Sequence, residues 1–444
     1  MLQEVFRARR RAGAPALRAG MITAARTRAL ILTPIYPWPG LPSEGAFVHR
    51  QVQRLTRIGI DCRVIMFRPA LRGLPPMLKG VTWLRHGLRW LTWPRAIDGV
   101  RVDYVFYHSP LRRGGDLVPR AVEGIREHLH ANPELADVDV VYAHWLWPGG
   151  AVALALREQL HVPIVAIARG SDVHGWLQAH PHCRGYVERV LRDADIVLAN
   201  CEALARRARA LVPGKQAPLL PVVYNGVNAA YFRPSADPVG LRRRLRLPET
   251  GRLLLCCVSV KRRKGVYELA DAWERVAGEL PDWNLVVIGP WIEPAAVARL
   301  CAAGARTGGR VSLRGAVPPA DVRDYMQACD ALVHPSHAEG VANATMEAMA
   351  TGLPVISTHV DGQAELIEHG RSGLLISPHD TSALASAILR IARDPAEARR
   401  LGDAARQRVQ RRFDAERHTR RLAGLLARVA NVSATDARRL PAAG

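Results

Sequence analysis

The sequence predicts an α/β protein of two consecutive parallel-sheet domains, and three observations carry that prediction. Short, continuously apolar, β-branched runs alternate with helical patterns, which marks strands covered on both faces. The rhythm restarts after residue 250. Between the two series lies the turn dipeptide Asn225-Gly226, ahead of a stretch bounded by Pro234 and Pro238, a natural place for the chain to pass between domains.

Taken in order, residues 1–25 form a basic extension with Arg7, Arg9, Arg10, Arg11 and Arg18 and no apolar h-region, so neither a signal peptide nor an anchor is read there. The first domain, 26–224, draws strands from 29–33, 62–67, 138–143, 162–168, 196–199 and 219–224. The second, 225–400, draws them from 253–260, 285–288, 311–313, 331–333 and 354–357. Residues 401–430 read as helices with regular Leu, Ala and Ile positions, and 431–444 as a tail. Residues 70–97 break the rhythm. There Trp83 and Trp90 lie seven apart on one helical face and Arg85 and Arg89 on another, stopped at Pro94. That pattern fits a helix lying on an anionic membrane surface, and equally one packed on its own domain.

Composition excludes several classes. Of 444 residues, 48% are hydrophobic and 23% charged, ordinary globular usage that rules out wholesale disorder. No stretch approaches the roughly 18 apolar residues of a membrane-spanning helix. Seven cysteines without a C-x-x-C spacing read as reduced thiols in a cytoplasmic protein. The net charge of +22 calls for an anionic partner: nucleic acid, an anionic membrane face or a phosphorylated substrate. Because only four of the 62 basic residues are lysines, the arginine excess is global and does not choose among them.

The most specific segment runs from His334 to Val355. It follows an apolar strand, carries Glu339, Gly340, Val341, Ala342, Asn343 and Ala344 into a helix, and ends at Gly352-Leu353-Pro354. Free amides at the start of that helix hold anions well, a diphosphate included. Glu339 and Glu347 stand eight positions apart, which along a helix is about 12 Å, wider than the roughly 5 to 9.5 Å of a glycosidase pair. The spacing suits the two ends of a nucleotide sugar, hexose hydroxyls at Glu339 and ribose at Glu347; periodicity alone fits at least as well a solvated loop glutamate followed by one on a helix surface. A second cluster, Lys261-Arg262-Arg263-Lys264 before Gly265, follows the first strand of the second domain. Four consecutive cations there would neutralise charge growing on a leaving diphosphate, the role of Mg²⁺ in other transferases.

These residues resemble the family 4 glycosyltransferases. The Glu339 to Glu347 interval matches the family's E-x7-E signature, and Asn225-Gly226-Val227-Asn228 through Phe232 and Pro234 is similar to its domain junction, with Asn228 where Asp is usual. The entry Pro34-Ile35-Tyr36-Pro37, then Gly45-Ala46-Phe47-Val48, resembles the first strand and loop of bacterial capsule, exopolysaccharide and teichuronic-acid transferases. The resemblance implies a GT-B fold, two Rossmann-like doubly wound domains facing a central cleft, with C-terminal helices packing back toward the first. It implies a retaining hexosyltransferase that moves sugar from a nucleotide diphosphate donor to an oligosaccharide or lipid-linked acceptor in cell-surface polysaccharide or glycolipid synthesis, without a metal cofactor or nucleic acid partner. Carried over by position, Lys264 and either Arg263 or Arg262 meet the diphosphate, with Ser259 where the family's arginine often sits. Gly45 joins the donor-binding set. His144, at the end of the strand read at 138–143, faces the transferred sugar, with Tyr142 in place of the family's preceding histidine, and Asp172 accepts from the acceptor hydroxyl.

Three patterns are set aside. Asp137/Asp139 and Asp193/Asp195 have D-x-D spacing but precede their strands, away from the carboxyl ends where ligands sit. His174, His180, His182 and Cys183 match no ordinary zinc spacing. A nucleotide-sugar epimerase of the same fold, or a polyanion-binding protein using the charge alone, are the rival readings. The first releases free sugar without an acceptor, and the second binds nucleic acid with a steep salt slope.

Overall fold

Ile31 lies opposite Val64 on one side and Tyr142 on the other, at the centre of the first sheet. The computed structural model describes residues 27–38, 44–70, 95–108, 116–173, 177, 180–213 and 220–437. Around β1 (Arg28–Thr33) stand β2 (Asp61–Ala70), β3 (Ala96–Ile97), β4 (Val100–His108), β5 (Val140–His144), β6 (Ile164–Ala168) and β7 (Ile196–Ala199). Their order is β3-β4-β2-β1-β5-β6-β7, parallel except for the β3 edge. The second domain has β8 (Arg252–Cys257), β9 (Trp283–Ile288), β10 (Val311–Leu313), β11 (Ala331–His334), β12 (Val355–Thr358) and β13 (Leu374–Ile376), ordered β10-β9-β8-β11-β12-β13. All of its pairings are parallel. β5, β6, β7, β11 and β12 are buried at every position, which is why they appear as unbroken apolar runs.

Three strands escape that signal, the two-residue edge β3 among them. β4 alternates, burying Val100, Val102, Val105 and Tyr107 between Arg101, Asp103 and other half-exposed residues, because only the short β3 lies outside it. β13 is a three-residue edge. The run at 219–224 forms a single bridge, Val222 to Ala199, instead of a strand. The extension 1–25 and the residues Trp83 and Trp90 lie outside the described residues.

The chain crosses between domains twice, and the two crossings pair. Val227 N–H donates to the Phe413 carbonyl at 2.8 Å, and Ala415 N–H to the Val227 carbonyl at 3.1 Å. The helix Pro395–Arg412 stays on the second domain, where Gly402 abuts the Gly352 carbonyl. The helix Ala415–Ala437 returns to the first. Its Leu422, Leu425, Leu426 and Val429 join Val48, Val52 and Leu55 of the helix Ala46–Arg57 in one apolar cluster. At about 25 cal/mol per Å² of apolar area, such burial makes the returning helix part of the first domain.

Candidate active site

In each sheet the strand order reverses once, between β1 and β5 and between β8 and β11. The crevice beyond the carboxyl ends of such a pair is where open α/β sheets place ligands. The basic loop follows β8 and the acidic loop follows β11, so the chain brings both to the second domain's switch point.

The two loops are tied together. Gly265 takes φ +69°, and a side chain there would run into the Pro335 carbonyl oxygen, so only glycine lets the loops approach this closely. His337 N–H donates to the Arg263 carbonyl at 3.0 Å. Lys264 pairs directly with Glu339 Oε1. Ser336 Oγ donates to the same oxygen at 2.8 Å, and His334 Nε2 lies 3.3 Å from it. Burial alone would push the Glu339 carboxyl up. Lys264 and His334 more than offset that and hold it well below the usual carboxylate range. All three contacts go to Oε1, leaving Oε2 outside them.

Glu347 sits on the helix Asn343–Thr351 with 7% exposure. Arg50, from the first domain's helix Ala46–Arg57, reaches across to its Oε1 at 2.9 Å. Only half of the interval between Glu339 and Glu347 is helical, because the helix begins at Asn343; Glu339 lies in the preceding loop, and the 12 Å expected of a continuous helix does not apply. Ala342 is extended and the helix has no side-chain cap, so its first amides lack intrahelical partners. Val341 and Ala342 are buried and Ala344 is half-buried. Asn343 Oδ1 accepts from Asn225 Nδ2 at 3.0 Å. Gly340 packs between Gly362 and the first domain's Asn200, so its smallness serves the domain interface.

Across the cleft, His144 ends β5 fully buried. Arg169 Nη2 donates to His144 Nδ1 at 2.9 Å and to Gln51 Oε1 at 2.8 Å, and Nη1 donates to Asn225 Oδ1. His144 Nε2 is buried with no hydrogen-bond partner among the described residues. Burial, and then the Arg169 charge, push the imidazole well below its ordinary pKa. Asp172 differs from its expected role of accepting from an acceptor hydroxyl. It is 1% exposed, and its carboxylate accepts the backbone N–H groups of Leu146 at 2.7 Å, Gly170 at 2.9 Å and Arg169 at 3.1 Å. A carboxylate filled by three buried amides fastens the exit of β5 to the exit of β6. Gly45 takes φ +66° against the backbone of Ile35 and Tyr36 and opens the helix Ala46–Arg57.

Two family models divide the chain along the same line. Residues 45–231 match "Glycosyltransferase Family 4" and residues 251–394 match "Glycosyl transferases group 1". The putative teichuronic acid biosynthesis glycosyltransferase TuaC of Bacillus subtilis is 30% identical over 404 residues, 88% of this chain and 96% of its own length. The chain belongs to the family 4 glycosyltransferases. A D-inositol 3-phosphate glycosyltransferase of Acidothermus cellulolyticus is 28% identical over 80% of this glycosyltransferase and 79% of the relative. Among solved structures, the sucrose-phosphate synthase of Thermosynechococcus elongatus superposes with TM-score 0.73 at 23% identity, over 91% of this chain and all of that one. Anabaena HepE in complex with UDP gives 0.68 at 21%, over 90% and 100%. These likenesses establish the GT-B fold.

The glycosyltransferase therefore gathers Lys264, Glu339 and the helix start in one place, faces Glu347 with Arg50, and sets His144 on the first domain's own switch point. Arg263 lies beside the acidic loop, its Nη1 3.4 Å from the Ala338 carbonyl. Arg262 instead stacks on Tyr267, 4.1 Å from the ring centre. Sequence reasoning passed over Ser336, His334, Arg50 and Arg169. Lys261, read there only as one of four consecutive cations, has its ammonium pushed down by burial and by neighbouring Arg263 and Lys264. The D-x-D aspartates are structural: Asp139 accepts from Arg28 at 2.8 Å, and Asp195 from Arg157 at 2.7 Å. No helix among the described residues is long and apolar enough to cross a membrane.

Proposed function

We propose that this glycosyltransferase moves a sugar from a nucleotide diphosphate sugar to an acceptor hydroxyl with retention, in the synthesis of a bacterial cell-surface polysaccharide or glycolipid. The observation that carries the reading is the Lys264–Glu339 pair at the switch point beside an uncapped helix start: a cation for phosphate and a carboxylate for hydroxyls, side by side. The diphosphate lies on Lys264, Arg263 and the amides of residues 340–344, with Arg262 and Gly45 at the margins. An ammonium has three protons to donate, so Lys264 serves Glu339 and phosphate together. Sugar hydroxyls meet Glu339 Oε2, the ribose meets Glu347, and His144 Nε2–H faces the sugar from the first domain. Asp172 acts through position, holding the loop that carries Arg169.

The bond from the anomeric carbon to the leaving phosphate oxygen breaks, and the acceptor oxygen bonds to the same face. The acceptor proton passes to the departing phosphate oxygen. Charge growing on the diphosphate is met by the basic loop, which is the basis for proposing transfer without a catalytic metal. HepE has been solved with UDP, with UDP and glucose, and with UDP-glucose, and TuaC is assigned to teichuronic acid synthesis; both support a nucleotide sugar and a surface polymer. The enzyme works in the cytoplasm, meeting a lipid-linked acceptor at the inner membrane face. The test is a panel of UDP-, GDP- and ADP-sugars read as melting temperature. A ligand at a hundredfold excess over its dissociation constant stabilises by about 2.7 kcal/mol. One base should stand out, and transfer from it to an acceptor should keep the anomeric configuration; no shift with any nucleotide sugar overturns the reading.

A further inference from the structure

Beside the donor loop, three side chains from distant segments converge. Glu268 stands in the first turn of the helix Val266–Val276, His337 between Ser336 and Ala338, and His379 just ahead of the helix Thr381–Arg393. Glu268 Oε1 is 3.0 Å from His337 Nε2 and 3.2 Å from His379 Nδ1. One ligand atom from each residue falls within 4.8 Å of the others. The imidazole rings lie 3.7 Å apart between centres. The other carboxylate oxygen, Glu268 Oε2, is buried with no hydrogen-bond partner among the described residues.

The two edges that meet at Glu268 fit a small cation. Bonds of about 2.0–2.1 Å to nitrogen and oxygen at a tetrahedral angle set ligand atoms about 3.3 Å apart, close to both measured separations. Two imidazoles and one carboxylate select Zn²⁺ over the oxygen-seeking Ca²⁺ and Mg²⁺. His379 takes φ +64°, a left-handed conformation uncommon outside glycine, and such residues persist where the surrounding structure demands them. Its side chain is 64% exposed, against 13% for His337 and 18% for Glu268, which leaves an entry path and a fourth position for water. The backbone already holds the group: His337 N–H is bonded to Arg263, and Asp380 caps the following helix through Ala383 N–H at 2.8 Å.

We propose that Glu268, His337 and His379 form a Zn²⁺ site that bolts the donor loop to the helix Val266–Val276 and to the loop before Thr381. The ion takes no part in sugar transfer. It fixes His337, the neighbour of Ser336, which itself bonds Glu339, and so stiffens the segment that carries the carboxylate. The reading is independent of which nucleotide sugar is used.

The full-length protein, stripped with a chelator and dialysed, is titrated with Zn²⁺ in competition with a chromophoric chelator, and its melting temperature is followed with Zn²⁺, Ca²⁺ and Mg²⁺. Wild type should take up one equivalent of Zn²⁺ and gain thermal stability from Zn²⁺ alone. His379→Ala and His337→Ala should each weaken that equivalent at least ~10-fold, since losing a ligand costs no less than losing a group that orients one. The exposed His379 is the variant that tests the site without disturbing the fold, which an unchanged melting temperature of the stripped protein verifies. Zn²⁺ uptake equal in wild type and His379→Ala, or no uptake by wild type, overturns the proposal.

Discussion

Arg169 Nη2 lies 2.9 Å from His144 Nδ1, and a guanidinium has only protons to offer. Nδ1 must therefore present its lone pair, which places the ring's single proton on Nε2, the atom without a partner among the described residues. His144 is a neutral donor aimed away from Arg169. Its folded pKa is depressed, so the stability it contributes is fully present above the unfolded value of about 6.5 and is lost as pH falls through the folded value. Arg169→Met should raise the pH at which kcat/KM falls on the acid side, toward 6.5. A pH profile identical to wild type, in a variant that melts normally, would show that Arg169 does not set the imidazole's state.

Glu339→Gln should lower turnover far more than affinity for the free nucleotide diphosphate, because the carboxylate is assigned to the sugar end. Its depressed folded pKa contributes stability that is present above the unfolded carboxylate value of about 4.3 and lost as pH falls below it. Acid unfolding of the Gln variant should accordingly be shallower. Steady-state kinetics and melting curves from pH 7 to 3 read both; equal turnover in variant and wild type removes the assignment.

Glu347→Ala should weaken nucleotide and nucleotide sugar alike, at least ~10-fold, since both carry the ribose whose hydroxyls the carboxylate would accept from. Calorimetric titration with each ligand measures it. An unchanged dissociation constant for the free nucleotide places the ribose elsewhere.

Lys264→Ala should lose several kcal/mol of transition-state stabilisation, about 10²–10³ in kcat as for a lost oxyanion donor. Wild-type transfer should proceed without added Mg²⁺ or Mn²⁺ and persist in chelator. Activity abolished by chelator and restored by Mg²⁺ or Mn²⁺, but not by Zn²⁺, would mean that a metal and not the basic loop carries the diphosphate charge.

Glu365, in the second domain, caps a helix of the first. Its carboxylate accepts Ala203 N–H at 2.7 Å, Glu202 N–H at 3.0 Å and the Tyr224 hydroxyl at 2.8 Å. Glu365→Ala should cost about 0.5–2 kcal/mol, as the loss of an N-cap does. It should also lower kcat more than nucleotide diphosphate affinity, because the donor groups sit on one domain while His144 sits on the other. Denaturant melts and nucleotide titration separate the two effects.

The sequence by itself determined the two parallel sheets and singled out two loops, one basic and one acidic. Strands buried on both faces must be apolar throughout, and a turn bearing four cations or an acidic helix start is a local pattern. β4 stayed hidden because an outer strand alternates with charge as surface elements do. Tertiary structure alone decided which groups meet. Lys264 and Glu339 are 75 residues apart, and they touch because β8 and β11 are neighbours in the sheet, an order that equally apolar strands do not encode. The same holds for Arg50 on Glu347, for Arg169 on His144 and for Glu268 with His337 and His379. Each partner comes from a separate segment whose own pattern reads as an ordinary surface charge or a satisfied histidine, and only strand order and the paired crossings at Val227 and Ala415 set them within bonding distance.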